Sequence, residues 1–438
     1  MPTLPQALTR QLSELNPQTQ ILVGYSGGLD SQVLLHLLCQ CWPLSQITAL
    51  HVHHGLNPLA DQWLLQCQGW AQAYGVQFIA ERVFVNRDEG IEQGARAARY
   101  QAFAEHLGPD HLLLTAHHQN DQAETFLLAM KRGSGPRGLS AMPRLQSFSC
   151  GAHLRPLLSV TRQQLEAYAK AQQLDWLEDD SNDDCHYDRN FIRHRVLKPL
   201  AARWPSVYDT ISRSAALCAQ QEQALQLLLQ PLYAPLLHQD GSLCIEGLAK
   251  HPEVIRTQLL RLWLSERAAQ QPSLAQFDKI WQEIACARVD ANPQLKIGQG
   301  QIRRYQQRLY WLALQQDVSE WSALWSNLSA SCVLPDALGT LSLEKWQPEV
   351  STKSLLSVRA PLAHESVTVC FAPKEMHIRP LGRGGSRHLK KLYQEYGIPS
   401  WQRPRMPLLY FGETLIAIAG LLVTEAGAGD ELQLNWQR

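Results

Sequence analysis

The chain has 438 residues, 45% of them hydrophobic and 18% charged. That composition excludes a disordered or fibrous protein and is too much chain for one ordinary core, so two or three domains are expected. Lys plus Arg equals Asp plus Glu at 40 each, giving zero net charge, so any nucleic-acid binding has to come from local basic patches and not from an overall field. Ten cysteines are scattered without a C-x-x-C pair, which argues against zinc knuckles and dithiol redox chemistry and suits a reducing compartment. Cys39 and Cys41 lie in an apolar helix and read as packing. The polar amino-terminal stretch lacks a signal-peptide core, and the longest apolar run, residues 415–423, is too short to cross a bilayer. A cytoplasmic protein with no membrane partner is expected.

Residues 21–23 read as a short buried strand that runs into Ser26-Gly27-Gly28-Leu29-Asp30-Ser31. The helix continues through Val33, Leu34, Leu35, Leu37 and Leu38. Glycines let the backbone turn sharply and approach a ligand, and unpaired N–H groups at a helix start hold an anion. Ser26 and Ser31 add hydroxyls, so a phosphate group is the expected guest. The familiar G-x-x-x-x-G-K-[ST] loop needs a lysine, whereas the residue before Ser31 here is Asp30, an acid that suits Mg²⁺ held together with phosphate oxygens. The plainer alternative is a strand–turn–helix whose glycines serve geometry alone. The order Ser-Gly-Gly-x-Asp-Ser resembles the PP-loop of the N-type ATP pyrophosphatases, which cleave ATP between its α- and β-phosphates and adenylate a substrate oxygen.

Strands are expected at residues 47–54, 76–83 and 111–118, and helices at 61–74 and 91–106. Such alternation predicts an α/β fold with a mostly parallel, doubly wound, Rossmann-like sheet. Ligands in such sheets bind at the carboxyl ends of the strands, and Ser26, His53, His54, His117 and His118 all fall there. Asp121 and Glu124 open the next helix. They form either a capping box or a cation site of two carboxylates one turn apart. Arg96 and Arg99 share a helix face and either clamp phosphate or sit solvated on the surface. Residues 131–138, with Lys131, Arg132 and Arg137, form a basic, glycine-rich loop that suits either a nucleic-acid or triphosphate contact or plain solvent exposure. A helix at 162–173 is followed by the acidic run 178–184 and the basic run 187–195. Those two runs either pair internally or frame a basic surface.

Five stretches together carry a closer resemblance: Ser26–Ser31, residues 91–100, Ala116-His117-His118-x-x-Asp121-Gln122-Ala123-Glu124, residues 131–138, and Arg189-Asn190-Phe191-Ile192-Arg193-His194-Arg195. This combination is similar to the tRNA(Ile)-lysidine synthetases. The resemblance implies that cytidine at the first anticodon position of a CAU-bearing isoleucine tRNA becomes lysidine. Cytosine O2 attacks the ATP α-phosphate and pyrophosphate leaves; lysine's ε-amine then attacks C2 and displaces AMP, changing decoding from AUG to AUA. By the same resemblance, Ser26, Gly27, Gly28, Leu29, Asp30, Ser31, Arg96 and Arg99 would bind ATP, Asp30 would hold Mg²⁺, and Asp121 and Glu124 would bind lysine. Asp30, Arg99 and His117 would form the catalytic set, with His117 a candidate base because its ordinary pKa is near neutrality. Arg193 and Arg195, with Lys131, Arg132 and Arg137, would approach the tRNA. A zinc site built from His51, His53, His54, His117 and His118 is rejected, because lysine and Mg²⁺ account better for the nearby acids.

Beyond residue 199 helices are expected at 207–237, 252–267 and 274–288. Residues 301–312 alternate in part like a strand and carry Arg303, Arg304 and Arg308. The expected domains are a PP-loop catalytic domain (1–206), a mainly helical tRNA-binding domain (207–314), a linker (315–331) and a small α+β tRNA-binding domain (332–438). The last has strand-like pieces at 338–343, 366–371 and 415–423 and a helix at 389–396. Its segment 379–391 holds five basic residues, Arg379, Arg383, Arg387, Lys390 and Lys391, and no acid, which suits an RNA backbone. A homodimer stays open. Three alternatives compete. A tRNA thiolase would want a cysteine in the motif-bearing turns, and glutamine-dependent synthetases usually carry an amidotransferase part. A nucleotide-sensing module without turnover would not need Asp30, Asp121 and Glu124 together.

Overall fold

The computed structural model describes residues 3–13, 15–86, 90–267, 272–288, 291–345 and 356–438. Its contacts divide the chain into two compact units, Met1–Leu227 and Leu228–Arg438.

The first unit is built on six strands: β1 (Ile21–Gly24), β2 (Ile47–His53), β3 (Gln77–Arg82), β4 (Leu112–Leu114), β5 (Leu145–Phe148) and β6 (Gly151–Leu154). Their order is β3-β2-β1-β4-β6-β5, parallel except for the β5–β6 hairpin. The helices are α1 (Leu4–Leu12), α2 (Leu29–Cys41), α3 (Ala60–Ala73), α4 (Ile91–Glu105), α5 (Gln119–Lys131), α6 (Pro136–Leu139) and α7 (Arg162–Ala171). Successive strand residues face opposite sides of a sheet. Ile21 and Val23 therefore pack into one core with Val33, Leu34 and Leu37 of α2, while Leu22 and Leu113 pack into a second core with Phe103 and Leu107. Both faces are covered, which is why β1 and β4 read as continuous apolar runs and not as alternating ones. From β1 the chain builds outward through β2 to β3, then crosses back to place β4 on the other side of β1. That reversal opens a crevice at the carboxyl ends of β1 and β4.

The expected strand at 111–118 is shorter than its apolar pattern suggests. The strand ends at Leu114, one further bond from Thr115 N to Leu154 O follows it, and His118 becomes the N-cap of α5. Of the two readings left open for Asp121 and Glu124, a capping box between them does not form. The reciprocal cap joins His118 to Asp121, with the His118 N–H donating to Asp121 Oδ2 at 2.9 Å, and Glu124 takes no part in it. The first unit ends in α8 (Asp188–Phe191), a π-helical turn (Ile192–Leu197), α9 (Lys198–Arg203) and the start of α10 (Val207–Tyr233).

In the second unit, α11 (Ile245–Ala249), α12 (Glu253–Ser265) and α13 (Leu274–Lys279) accompany a four-stranded antiparallel sheet. Its strands are β7 (Leu243–Cys244), β8 (Gln294–Ile297), β9 (Gly300–Tyr305) and β10 (Arg308–Ala313). The run expected as one strand at 301–312 is thus a hairpin, turned by Gln306 and Gln307 at φ 44° and 60°. The mainly helical reading of 207–314 therefore leaves out a sheet. Residues 315–331, read as linker, contribute the strand Ser322–Leu324, paired with Val367–Cys370, and bury Val318 and Trp325 in a core. A three-residue strand whose partner is far along the chain leaves no local periodicity to detect. The run 415–423 is split at Gly420 into Thr414–Ile418 and Leu422–Val423. Among the described residues no helix is long and apolar enough to cross a membrane.

The two glycines of the first turn are not equivalent. Gly27 has φ +80°, and a Cβ there would lie 2.4 Å from Cys67 Sγ and 2.7 Å from Leu177 Cδ1. Gly28 lies at φ −71°, where a Cβ meets nothing nearer than 3.5 Å. Gly27→Ala is expected to cost about 1–3 kcal/mol in urea unfolding through overpacking and a strained backbone. Gly28→Ala should stay within about 0.5 kcal/mol of the parent, as an unclashing substitution does.

Candidate active site

The crevice at the β1–β4 edge is a cleft of roughly 780 Å³ whose walls include Ser26, Gly28, Asp30, Ser31, Arg96, Arg99, His117 and Asp121. That size suits a nucleotide-scale ligand. The loop leaving β1 is pinned from below. Leu177 N donates to Gly27 O at 2.9 Å, and the buried Tyr25 hydroxyl donates to Gln32 Oε1. Ser31 Oγ donates to Gly28 O at 3.0 Å and lies 3.1 Å from Ser26 Oγ, so both hydroxyls converge at the start of α2. Leu29 is buried beneath the loop, and only its backbone can serve a ligand.

Asp30 stands in the first turn of α2. Its Oδ2 accepts from Arg162 at 2.7 Å and lies 3.6 Å from His118 Nε2. Its Oδ1 is buried and accepts no hydrogen bond. Burial works against a charge on His118, but the Asp121 and Asp30 carboxylates outweigh it and raise the imidazole pKa above its ordinary value.

The acid pair on α5 is enclosed by arginines. Glu124 is 0% exposed. It accepts from Arg193 Nε at 2.6 Å on Oε1, and from Arg189 Nε at 2.7 Å and Arg193 NH2 at 3.1 Å on Oε2. Asp121 Oδ1 lies 3.2 Å from Arg189 NH2. Burial pushes the Asp121 pKa up, yet the charges of His118 and Arg189 and the His118 N–H outweigh it and hold it down at about 2. Asp121 lines the cleft, whereas Glu124 does not.

On the opposite wall α4 carries Arg96 over the Tyr100 ring, 4.8 Å from its centroid, and Arg99, whose Nε lies 3.4 Å from His54 Nε2. Burial, then Arg99, lowers the His54 pKa to about 4, so the ring is neutral and can accept from Arg99. His51 instead turns to Tyr25 O at 3.1 Å, and His53 lies 3.2 Å from Asp61. Among the described residues no three His, Cys, Asp or Glu side chains gather as a metal-holding group.

Of the basic residues assigned to tRNA, Lys131 pairs with Asp188 at 2.5 Å and Arg193 is committed to Glu124, while Arg132, Arg137 and Arg195 are exposed. Arg379, Arg383, Arg387, Lys390 and Lys391 are exposed in the second unit, with Arg383 2.8 Å from Glu395. The acidic run does not neutralise Arg189 or Arg193. It instead supplies backbone oxygens of Ser181 and Asp184 to Asn190 at 3.0 Å each. Sequence reading did not single out Arg162, Leu177, Thr115, His153 or Arg155 for the site. Arg162 reaches Asp30 across 132 residues, a separation at which no local pattern signals a contact.

A family profile described as a PP-loop domain matches residues 3–200, a TilS substrate binding domain matches 243–310, and a TilS substrate C-terminal domain matches 367–437. The tRNA(Ile)-lysidine synthase of Serratia proteamaculans is 48% identical over 435 residues, covering 98% of both chains. That of Vibrio parahaemolyticus is 45% identical over 428 residues, covering 96% of both. Among solved structures, the U34-tRNA thiolase NcsA from Methanococcus maripaludis is 17% identical with a TM-score of 0.41, covering 48% of this chain and 76% of that one.

Two outcomes follow from the charge cluster. Glu124→Gln leaves two guanidiniums short of their counter-charge and should destabilise the protein by about 3 kcal/mol in urea unfolding at neutral pH. Asp121, with its pKa depressed from 3.8 to about 2, stabilises the fold above 3.8, and that contribution is lost as pH falls through about 2. Asp121→Asn should remove this part of the acid-unfolding curve.

Proposed function

This chain belongs to the tRNA(Ile)-lysidine synthase family, ligases that use ATP to join lysine to the first anticodon cytidine of tRNA(Ile), and we propose how its own residues carry that reaction. ATP lies with its phosphates over the Ser26–Ser31 turn, where helix-start N–H groups and two hydroxyls meet the charge that develops as pyrophosphate departs. Arg96 and Arg99 face it from α4. The observation that carries the reading is that one cleft holds both this turn and the arginine-flanked carboxylate of Asp121.

Asp30 fits a magnesium ligand, because Oδ1 is buried with no hydrogen bond to satisfy it. A bound Mg²⁺ would neutralise phosphate charge there. Arg162 holds the other carboxylate oxygen and fixes its orientation.

Lysine is a zwitterion, and a mixed cluster of two acids and two arginines matches it. Asp121 at the wall receives an ammonium group, while Glu124, closed off from the cleft behind it, holds Arg189 and Arg193 where they can face the α-carboxylate. Attack on the adenylated cytidine needs the ε-amine neutral, so the site also has to orient it and let its proton go. The exposed Arg379, Arg383, Arg387, Lys390 and Lys391 track the tRNA backbone, while Lys131, Arg132, Arg137 and Arg195 lie toward its anticodon end.

Two measurements test this. Purified protein given ATP, lysine and tRNA(Ile) should release pyrophosphate and yield lysidine on nucleoside analysis; it should release none without tRNA(Ile), and no more than a single turnover and no lysidine without lysine. Asp30→Ala should lower that release about a hundredfold or more; undiminished release removes Asp30 from the mechanism. Separately, the triple change Arg387→Gln, Lys390→Gln and Lys391→Gln should weaken tRNA binding and reduce its salt slope by about three, leaving ATP affinity unchanged.

A further inference from the structure

Behind the cleft wall, four side chains form a hydrogen-bonded row: Arg155 NH2 to His153 Nδ1 at 3.1 Å, His153 Nε2 to Thr115 Oγ1 at 2.8 Å, and Thr115 Oγ1 to His117 Nδ1 at 2.7 Å. Only the last member, His117, and the Thr115 between the two rings reach the cleft. The row has a direction, set at its buried end. Arginine has donors and no acceptor, so His153 Nδ1 must be the acceptor of that contact. A neutral imidazole then carries its proton on Nε2, and His153 Nε2 donates to Thr115. The threonine hydroxyl has one proton, and among the described residues Oγ1 meets only these two rings. Because His153 Nε2 is already a donor, His117 Nδ1 is the one acceptor left for the threonine proton among the described residues, and the proton goes there. His117 Nδ1 is thereby used as an acceptor, and the ring keeps its own proton on Nε2.

The row is rigidly seated. His153 is 0% exposed and stands between Tyr100 and Phe148, with ring centroids 5.9 Å and 6.1 Å away. Arg155 is 3% exposed and is tied at NH1 to Pro143 O at 2.7 Å. Neither ring is charged at neutral pH. Burial, reinforced by Arg155 and Arg96, takes His153 down to about 3. Burial also takes His117 down to about 3; Asp121 opposes that shift, and Arg189, Arg155 and Arg96 add to it.

We propose that His117 works in the cleft as a fixed Nε2–H hydrogen-bond donor to a phosphoryl oxygen of the bound nucleotide, and not as a base, and that Thr115, His153 and Arg155 are the positioning residues that fix its tautomer. The proposal rests on the nucleotide-binding reading above and deepens it. A phosphoryl oxygen is the acceptor because the cleft that His117 lines also presents Arg96, Arg99 and the Ser26–Ser31 turn, all suited to phosphate. A neutral ring with its proton turned toward the ligand stabilises charge there without giving up a proton, and no lone pair is left to take one from lysine's ammonium.

Two independent readouts test it. In full-length protein with ¹⁵N-labelled histidine and no substrate, long-range ¹H–¹⁵N correlations at neutral pH should show His117 and His153 as neutral Nε2–H rings. The two are assigned by the signals lost in His117→Gln and His153→Gln. A Nδ1–H tautomer or an imidazolium at His117 overturns the proposal. In lysidine formation, His117→Gln keeps an amide donor near the Nε2 position but has no basic nitrogen. It should lose no more than about tenfold in kcat, while His117→Leu loses about a hundredfold or more, the scale of a lost oxyanion-type donor. Equal loss in both folded variants, as a base would give, sinks the idea. Thr115→Val should lower kcat with KM for ATP unchanged, and Thr115→Ser should restore it; a Val variant as active as the parent also overturns it. The tautomer is read without turnover, so a wrong tautomer leaves the ligase reading intact, and absence of lysidine from the parent protein leaves the tautomer intact.

Discussion

A carboxylate with no access to water cannot stay ionised alone, and Glu124 is such a group. Its tolerance depends on Arg189 and Arg193, which come from a segment far along the chain. α8 and the π-helical turn after it must therefore dock against α5 for the first unit to close. Arg189 sits in α8 and Arg193 in the π turn, four residues apart and on one side, so both reach the same carboxyl group. That docking also sets the cleft. It carries Arg189 to Asp121 and gives the wall a charged face of both signs at the place where a zwitterionic substrate is proposed to bind.

The other constraint is the reversal of strand order at β1. It brings the glycine turn after β1 and the residues after β4 to one edge, although some ninety residues of sequence lie between them, as the doubly wound topology dictates. The turn keeps a glycine at position 27 because Leu177 and Cys67 leave no room there for a side chain. Asp30 keeps one carboxylate oxygen without a hydrogen bond, because Arg162 occupies only the other. Across the cleft, the row from Arg155 to His117 converts a permanent charge in the interior into a chosen proton position at the surface of the site.

The sequence by itself determined a good deal here. Apolar runs separated by helical stretches were enough for the parallel sheet, because strands buried on both faces must be apolar throughout. The order of Ser26, Gly27, Gly28, Asp30 and Ser31 was enough for the strand–turn–helix, because its geometry is set within a few residues. The motifs shared with the lysidine synthetases placed Asp121, Glu124 and His117 as candidates. Tertiary structure decided everything that depends on partners distant in the chain: that Glu124 is held by arginines, that Asp30 pairs with Arg162, and that residues 315–331 join a sheet. The physical reason is the same in each case. Local spacing reports backbone geometry over a few residues, while the charge state and proton position of a side chain are set by whichever groups the fold brings within hydrogen-bonding distance.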